Sequence, residues 1–126
     1  MTRTATIAAA QYAFDAVASL AEWRAKITRW VEEAVGKGAQ ILVFPEYAAM
    51  ELSAISNHGH DIEESFAAVD GFAQESAGLH QALARTHGVM IVAGSGPRIK
   101  AGLRFNAAQV FGPLGQRDSF TKIMPT

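Results

Sequence analysis

The chain has 126 residues, of which 49% are hydrophobic and 18% charged, a composition typical of one globular domain or part of a larger one. Eleven basic and twelve acidic residues give a net charge of −1 without a long run of either sign, so neither nucleic acid nor an anionic membrane is indicated as a partner. No apolar run approaches the ~20 residues of a membrane-spanning helix, and the start is too weakly apolar for a signal peptide. The absence of cysteine excludes disulfides and is weakly typical of a cytoplasmic protein.

The first elements that the sequence predicts are a short strand and a helix. Residues 4–10 are mostly apolar, as in a strand. Ser19 and Glu22 have the spacing of a capping box, which satisfies backbone donors at a helix start. From about Leu20 to Val35 apolar residues recur every three or four positions, while Lys26 and other charged residues fall mainly on the opposite side. This pattern predicts a helix with one buried face.

The next elements are a second strand, a second helix and a third strand. Residues 40–44, QILVF, show no polar alternation, which predicts a strand buried on both faces as in a parallel sheet. The second helix ends near His87, and its beginning is left open by Gly71 and Gly78. Residues 89–95, VMIVAGS, predict another buried strand.

The end of the chain predicts a β-hairpin. Residues 96–102 are rich in turn-forming residues, which predicts an irregular connection there. Residues 103–111 and 116–122 are predicted to be two strands joined by the turn GPLG. The order strand–helix–strand–helix–strand is typical of an α/β layer architecture with right-handed crossovers. The hairpin would add an antiparallel edge to that sheet.

A glutamate directly follows the second predicted strand. Pro45 has no N–H to donate to a strand ladder and therefore ends the strand, and Glu46 comes next. In open α/β sheets ligands bind just outside the carboxyl ends of the strands, where a partly desolvated carboxylate is suited to act as a general base. On position alone, a solvated loop acid or a helix-cap acid is an equal alternative.

The histidines do not form a metal-binding pattern. His58 and His60 flank a glycine and precede Asp61, but no second cluster with ligand spacing occurs, so we interpret them as loop residues and expect no metal site. His80 and His87 are expected at the surface or at the end of the second helix.

Four stretches occur in an order that resembles the carbon–nitrogen hydrolase, or nitrilase, superfamily. They are GAQILVFPEY at 38–47, VMIVAGS at 89–95, FNAAQVFGPLGQ at 105–116 and SFTKIMPT at 119–126. In that family a Gly-Ala pair and a buried strand lead to Phe-Pro-Glu, and later come an Asn-Ala strand, a Pro-x-Gly turn and an aromatic-x-Lys. The resemblance extends over essentially the whole chain, and the ordered set is specific although each motif is short.

The resemblance implies catalytic roles for two residues. Glu46 would be the general base, and Lys122 would be the cation that stabilises the oxyanion of the intermediate. The family's third catalytic residue is a cysteine nucleophile a few tens of positions beyond the lysine, which would fall after Thr126. We therefore expect residues 1–126 to be the amino-terminal part of a single domain that is inactive on its own.

The resemblance also implies a fold and a class of substrate. The complete fold would be an α–β–β–α sandwich, the complete protein a homodimer without a cofactor, and the substrate a small amide, carbamoyl compound or nitrile. Tyr47 and Asn106 are candidates for substrate binding, although Asn106 is equally suited to a strand-end hydrogen bond. Phe120 stands where the family commonly has tyrosine, and Ile123 and Met124 replace a polar residue after the lysine, which bears on the pocket.

Two other interpretations stay open. In the first, the chain is a degenerate homologue that keeps the fold and serves in binding or assembly. In the second, it is one chain of a split enzyme whose second polypeptide supplies the nucleophile. The coding sequence that follows Thr126 discriminates among these interpretations, because it either continues in frame to a cysteine or does not.

Overall fold

A mixed sheet of five strands organises the protein, whose computed structural model describes residues 3–56 and 61–123. The strands are β1 (Ile7–Ala9), β2 (Ile41–Val43), β3 (Met90–Lys100), β4 (Leu103–Phe111) and β5 (Arg117–Ile123), in that order across the sheet. The helices are α1 (Leu20–Gly36), a 3₁₀ helix (Ala48–Ser56), α2 (Ile62–Gly71) and α3 (Ala73–His87). Strands β1 to β3 run parallel, whereas β3, β4 and β5 are joined by antiparallel pairs. The predicted α/β architecture with an antiparallel edge is confirmed.

The first helix begins at the capping box that the sequence indicates. Ser19 Oγ accepts a hydrogen bond from the Glu22 N–H at 3.1 Å, and Glu22 Oε2 accepts one from the Ala18 N–H at 3.1 Å. The two side chains therefore satisfy donors on both sides of the helix start. Helix α1 ends at Gly36, one residue later than expected.

The second predicted helix consists of two helices, and a 3₁₀ helix that the sequence did not predict precedes them. Asp61 caps α2, because its side chain accepts a hydrogen bond from the Glu63 N–H at 2.8 Å. Helix α3 follows after Phe72 and ends at His87. The next residue, Gly88, has φ 65°, the left-handed conformation that commonly closes helices. Gly78 lies within α3, so the helix tolerates it.

The third strand is longer than expected, and the turn-rich link predicted at 96–102 is mostly wrong. Strand β3 continues to Lys100, and the chain reverses only at Ala101 and Gly102, where φ is 52° and 76°. The pairing of β3 with β4 is irregular between Val92 and Ser95, which is a β-bulge. Gly96, which begins the predicted link, therefore belongs to the strand, whereas Gly102 does lie at the reversal.

The hydrophobic core lies on one side of the sheet. Leu42, Ile91 and Phe111 from three strands join a buried cluster that also contains Trp23 and other apolar residues of α1. On β2, the neighbours of Leu42 are only half-buried, and Ile7 of the outer strand β1 is 60% exposed. Complete burial of both strand faces, which the sequence predicted, is thus not found within the part of the chain that the structure describes.

A buried charged cluster ties the 3₁₀ helix to α1. Lys26 Nζ donates hydrogen bonds to Glu51 Oε2 at 2.5 Å and to the Ala13 carbonyl at 2.7 Å, and lies 2.8 Å from Asp15 Oδ2. Tyr12 donates its hydroxyl hydrogen to Glu51, and burial together with this hydrogen bond raises the pKa of Tyr12 above its usual value. Each charge in the cluster is therefore paired, as burial requires.

His80 lies in the core, so its expected place at the surface is wrong. It is 3% exposed, its ring stacks on Phe111, and its Nδ1 lies 2.7 Å from the Ser76 carbonyl oxygen. Burial lowers the pKa of His80 from 6.5 to about 4, although the Ser76 carbonyl acts in the opposite direction. The imidazole is neutral in the folded protein at neutral pH.

This burial predicts a loss of stability as the pH falls from about 6.5 to about 4. In that window the unfolded chain binds a proton at His80 and the folded chain does not, so protonation favours unfolding. The full shift corresponds to roughly 3 kcal/mol of unfolding free energy. His80→Phe keeps an aromatic ring beside Phe111 and should remove this contribution, which urea denaturation of both proteins across the window measures. Equal acid dependence of the two proteins would contradict the assignment.

Candidate active site

The chain turns sharply just after β2, and Glu46 lies at this turn. The Phe44 N–H still donates to the Val92 carbonyl of β3 at 2.9 Å, but Pro45 has no N–H to continue the ladder. Tyr47 then adopts φ 62°, an uncommon conformation for a residue other than glycine. The segment that contains Glu46 therefore leaves the carboxyl end of β2, where ligands bind in α/β sheets.

The bulge of β3 holds this turn in place. Ser95 Oγ accepts a hydrogen bond from the Tyr47 N–H at 3.0 Å. Gly94 has φ 80°, and a Cβ atom there would lie 2.2 Å from the Pro45 carbonyl oxygen. Gly94 thus permits a backbone approach that a larger residue would block, and Ser95 stabilises the left-handed residue beside Glu46.

Asn106 of β4 contacts the Glu46 carboxylate directly. Its Nδ2 donates a hydrogen bond to Glu46 Oε1 at 3.1 Å. Its Oδ1 is buried and has no hydrogen-bond partner among residues 3–56 and 61–123. The side chain that was a candidate for substrate binding is therefore attached to the candidate base.

Lys122 lies directly opposite Asn106 on the neighbouring strand β5. Side chains of directly opposed residues in an antiparallel pair project from the same face of the sheet. Lys122 is exposed, and the described residues contain no ion pair within 4 Å between Lys122 and Glu46. Asn106 thus stands beside both candidate catalytic residues.

Glu46, Asn106 and Lys122 line one open cleft of about 390 Å³. The remaining lining residues are Phe44, Val92, Gly94, Ser95, Ala108, Phe120 and Thr121. Tyr47 is not among them. The cleft is polar where the three side chains meet and apolar over the rest of its wall, as in sites for small organic molecules.

Glu46 is exposed, which corrects the expectation that its carboxylate is partly desolvated. The reason is that the cleft lies on the sheet face that the helices of the described residues do not cover. A second cavity, of about 210 Å³, lies between β1, β2 and α1. Its charged side chains Glu33 and Lys37 pair with each other at 3.4 Å, so it offers neither a free base nor a convergent polar set.

The other sequence interpretations have separate outcomes. His58 and His60 lie outside the described residues, and within residues 3–56 and 61–123 no group of three histidine or acidic side chains could hold a metal ion. Gly94 and Ser95 were not assigned to the candidate site from the sequence. The sequence feature that indicates these two residues is a glycine inside a predicted buried strand, because such a glycine commonly marks a bulge or a close backbone approach.

The sequence model of the carbon–nitrogen hydrolase family matches residues 3–124. The chain belongs to the carbon–nitrogen hydrolase family. Among curated protein sequences, none matches it significantly. Helices α1, α2 and α3 and the 3₁₀ helix, which are the helices of the described residues, are each too short or too polar to cross a membrane.

Solved structures place this carbon–nitrogen hydrolase chain in the nitrilase-superfamily fold. It is similar to a carbon–nitrogen hydrolase from Helicobacter pylori G27, with 20% identity, a TM-score of 0.70 and coverage of 94% of this chain and 39% of that one. It is also similar to an amidase of the nitrilase superfamily from Nesterenkonia AN1, with 21% identity, a TM-score of 0.57 and coverage of 95% and 44%. A double mutant of the Nesterenkonia amidase, 20% identical with a TM-score of 0.54 and coverage of 94% and 42%, was solved in complex with acrylamide.

The chain spans less than half the length of these structures. The expected fold class and the expected family are confirmed. At these levels of identity the likeness concerns the fold.

The close approach of Gly94 to the Pro45 carbonyl predicts that Gly94→Ala lowers the stability of the fold more than Gly102→Ala does. Gly102→Ala introduces a Cβ at φ 76° with no atom within 4 Å, so it should cost roughly 1–2 kcal/mol of backbone strain. Gly94→Ala adds a clash with the Pro45 carbonyl to similar strain and should cost at least about 3 kcal/mol. Urea denaturation of both variants gives the comparison, and equal losses would mean that the close approach does not constrain the fold.

Proposed function

We propose that this chain supplies the general base and the cationic stabiliser of a hydrolase that cleaves a non-peptide carbon–nitrogen bond. Glu46 is the base and Lys122 the stabiliser, and a cysteine thiol from outside this chain is the nucleophile. The observation that supports the proposal is that Glu46 and Lys122 line one cleft at the carboxyl end of β2, where Asn106 donates a hydrogen bond to Glu46 and lies opposite Lys122 in the strand register.

The chemistry of the first step requires both groups. A free thiol is only partly ionised at neutral pH, so a carboxylate beside it increases the thiolate by accepting its proton. The thiolate then forms a carbon–sulfur bond to the substrate carbon, and the electron pair of the carbonyl or nitrile bond moves to oxygen or nitrogen. An ammonium beside that atom stabilises the new negative charge, an effect of roughly 3–4 kcal/mol for each well-placed donor.

The second half of the reaction reuses the same base. With an amide substrate, the protonated Glu46 donates its proton to the leaving nitrogen, and the carbon–nitrogen bond breaks to give a thioester. A water molecule then loses a proton to Glu46 and forms a bond to the thioester carbon. The carbon–sulfur bond breaks, the acid is released, and the proton on Glu46 returns to the thiolate. One carboxylate accepts and donates protons in turn. An exposed Glu46 with one oxygen that has no hydrogen-bond partner among the described residues is compatible with both halves of the reaction.

A small primary amide is the substrate class we favour. The cleft, at about 390 Å³, is in the size range of sites for small molecules. The complex of the Nesterenkonia amidase with acrylamide supports an amide over a carbamoyl compound or a nitrile. Phe120 contributes an aromatic wall without a hydroxyl, which favours an apolar substituent on that side. We expect the complete protein to act in the cytoplasm as a homodimer without a cofactor.

Two other arrangements are compatible with a chain that has no cysteine. In a split enzyme another polypeptide supplies the thiol, and in a binding or assembly module that keeps the fold no thiol is present. Identification of the residues that complete the cleft separates these cases from a single-chain hydrolase.

Replacement of either proposed catalytic residue should abolish hydrolysis in the protein that contains this chain and the thiol. Glu46→Gln removes the base and Lys122→Met removes the cation, and each should lower kcat/KM by at least roughly 100-fold. Ammonia release from a primary amide, a carbamoyl compound and a nitrile of the same carbon skeleton measures both activity and substrate class. Glu75→Gln and Lys100→Met, at exposed positions of α3 and β3, are matched controls and should stay within about twofold. Full activity of Glu46→Gln would refute the proposed role.

The chain by itself should form no acyl intermediate, because it has no thiol. After incubation with an activated amide, intact-mass spectrometry should show the unmodified mass. A stable adduct, or turnover that Glu46→Gln removes, would mean that a different nucleophile operates.

A further inference from the structure

We infer that Asn106 positions the two proposed catalytic residues relative to each other. Its Nδ2 holds one oxygen of Glu46, as observed, and its buried Oδ1 accepts a hydrogen bond from the Lys122 ammonium in the working site. The inference rests on the proposed function, because it assigns a task to the residue between the base and the stabiliser.

The donor half of this arrangement is present in the structure. Asn106 Nδ2 lies 3.1 Å from Glu46 Oε1, and the assignment of the amide is fixed because only its nitrogen can donate to a carboxylate. The contact occupies one carboxylate oxygen. Oε2 is left to exchange protons with a nucleophile or a leaving group.

The acceptor half follows from the unpaired atom and the strand register. A buried oxygen without a hydrogen bond costs free energy and is uncommon in folded proteins. We therefore expect a donor to bind Asn106 Oδ1 in the working site. Lys122 is directly opposite on β5, and its long stem carries three donors on the same sheet face. The amide dipole also favours this donor, because its positive end faces the Glu46 carboxylate and its negative end is therefore directed away from that charge.

The bridge has a consequence for catalysis. A direct ion pair between Glu46 and Lys122 would occupy the groups that must accept a proton and stabilise an oxyanion. An amide between them fixes their separation while it leaves one carboxylate oxygen and two ammonium donors free. Asn106 is thus a positioning residue, and the candidate role in substrate binding is not needed to explain its contacts.

Kinetics of Asn106→Leu test this inference in the active protein. Loss of a hydrogen bond to a charged group at each residue should lower kcat roughly 10- to 100-fold. KM should change less than about threefold, because Asn106 does not touch the substrate. Asn106→Gln keeps both groups and should retain more activity than Asn106→Leu.

Gln109→Leu is the matched control, since it removes an amide from the same strand three residues away and from the opposite face of the strand. It should leave kcat within about twofold of the unchanged protein. A raised KM with unchanged kcat in Asn106→Leu would show that Asn106 binds substrate and would overturn the inference. If Asn106→Leu has an unchanged kcat while Glu46→Gln is inactive, this inference is overturned but the proposed function is not. Full activity of both Glu46→Gln and Lys122→Met would overturn the proposed function.

A spectroscopic measurement tests the bridge without activity. The side-chain amide protons of Asn106 should shift in the NMR spectrum on Glu46→Gln and also on Lys122→Met, while those of Gln109 stay in place. Because both substitutions are at exposed positions, neither should unfold the protein. Absence of a response to Lys122→Met would show that Lys122 does not donate to Asn106 and would refute the acceptor half.

Discussion

The close approach of the turn after β2 to the bulge of β3 is the constraint on which the candidate site depends. Gly94 admits the Pro45 carbonyl where any Cβ would collide with it, and Ser95 Oγ stabilises the Tyr47 N–H in a left-handed conformation. Without these two features the chain could not turn directly after Pro45, and Glu46 would not lie beside β4. Backbone strain next to a functional group is common where the surrounding structure determines the geometry, as it does here.

The buried charged cluster supports the same turn from the other side. Glu51 lies in the 3₁₀ helix that begins two residues after Glu46, and it is 2% exposed. Its carboxylate accepts hydrogen bonds from Lys26 of α1, from Tyr12 and from the Asp15 N–H, so the 3₁₀ helix is attached to the helix and to the loop that follows β1. Removal of one partner would leave a buried unpaired charge, which is far more costly than loss of an exposed ion pair. The two chain segments at the carboxyl ends of β1 and β2 are therefore fixed to each other.

The sequence predicted those features that local pattern determines, and it failed where distant contacts decide. The capping box at Ser19, the hairpin around GPLG and the position of Glu46 after β2 follow from short-range rules. Helical periodicity placed Lys26 on a solvent-facing side, but pairing with Glu51 from another element allows it to be buried. Gly96 was assigned to a turn-rich link although it lies in β3, because turns and strands that are closely approached by a neighbour both use glycine. Only the contact with Ala49, whose Cβ would lie 2.6 Å from a Cβ at position 96, distinguishes the two cases.

The half-covered sheet explains why the proposed catalytic pair is easier to infer than the substrate. Glu46, Asn106 and Lys122 are positioned by strands β2, β4 and β5, all of which this chain contains, so their mutual geometry is set by the sheet register. Substrate selectivity depends instead on groups that surround the ligand on all sides. The described residues form only an open cleft, and the chain spans between 39% and 44% of the length of the similar structures. The proposed reaction type thus rests on the side chains that this sheet positions, whereas the choice of substrate would depend on groups that close the open side of the cleft.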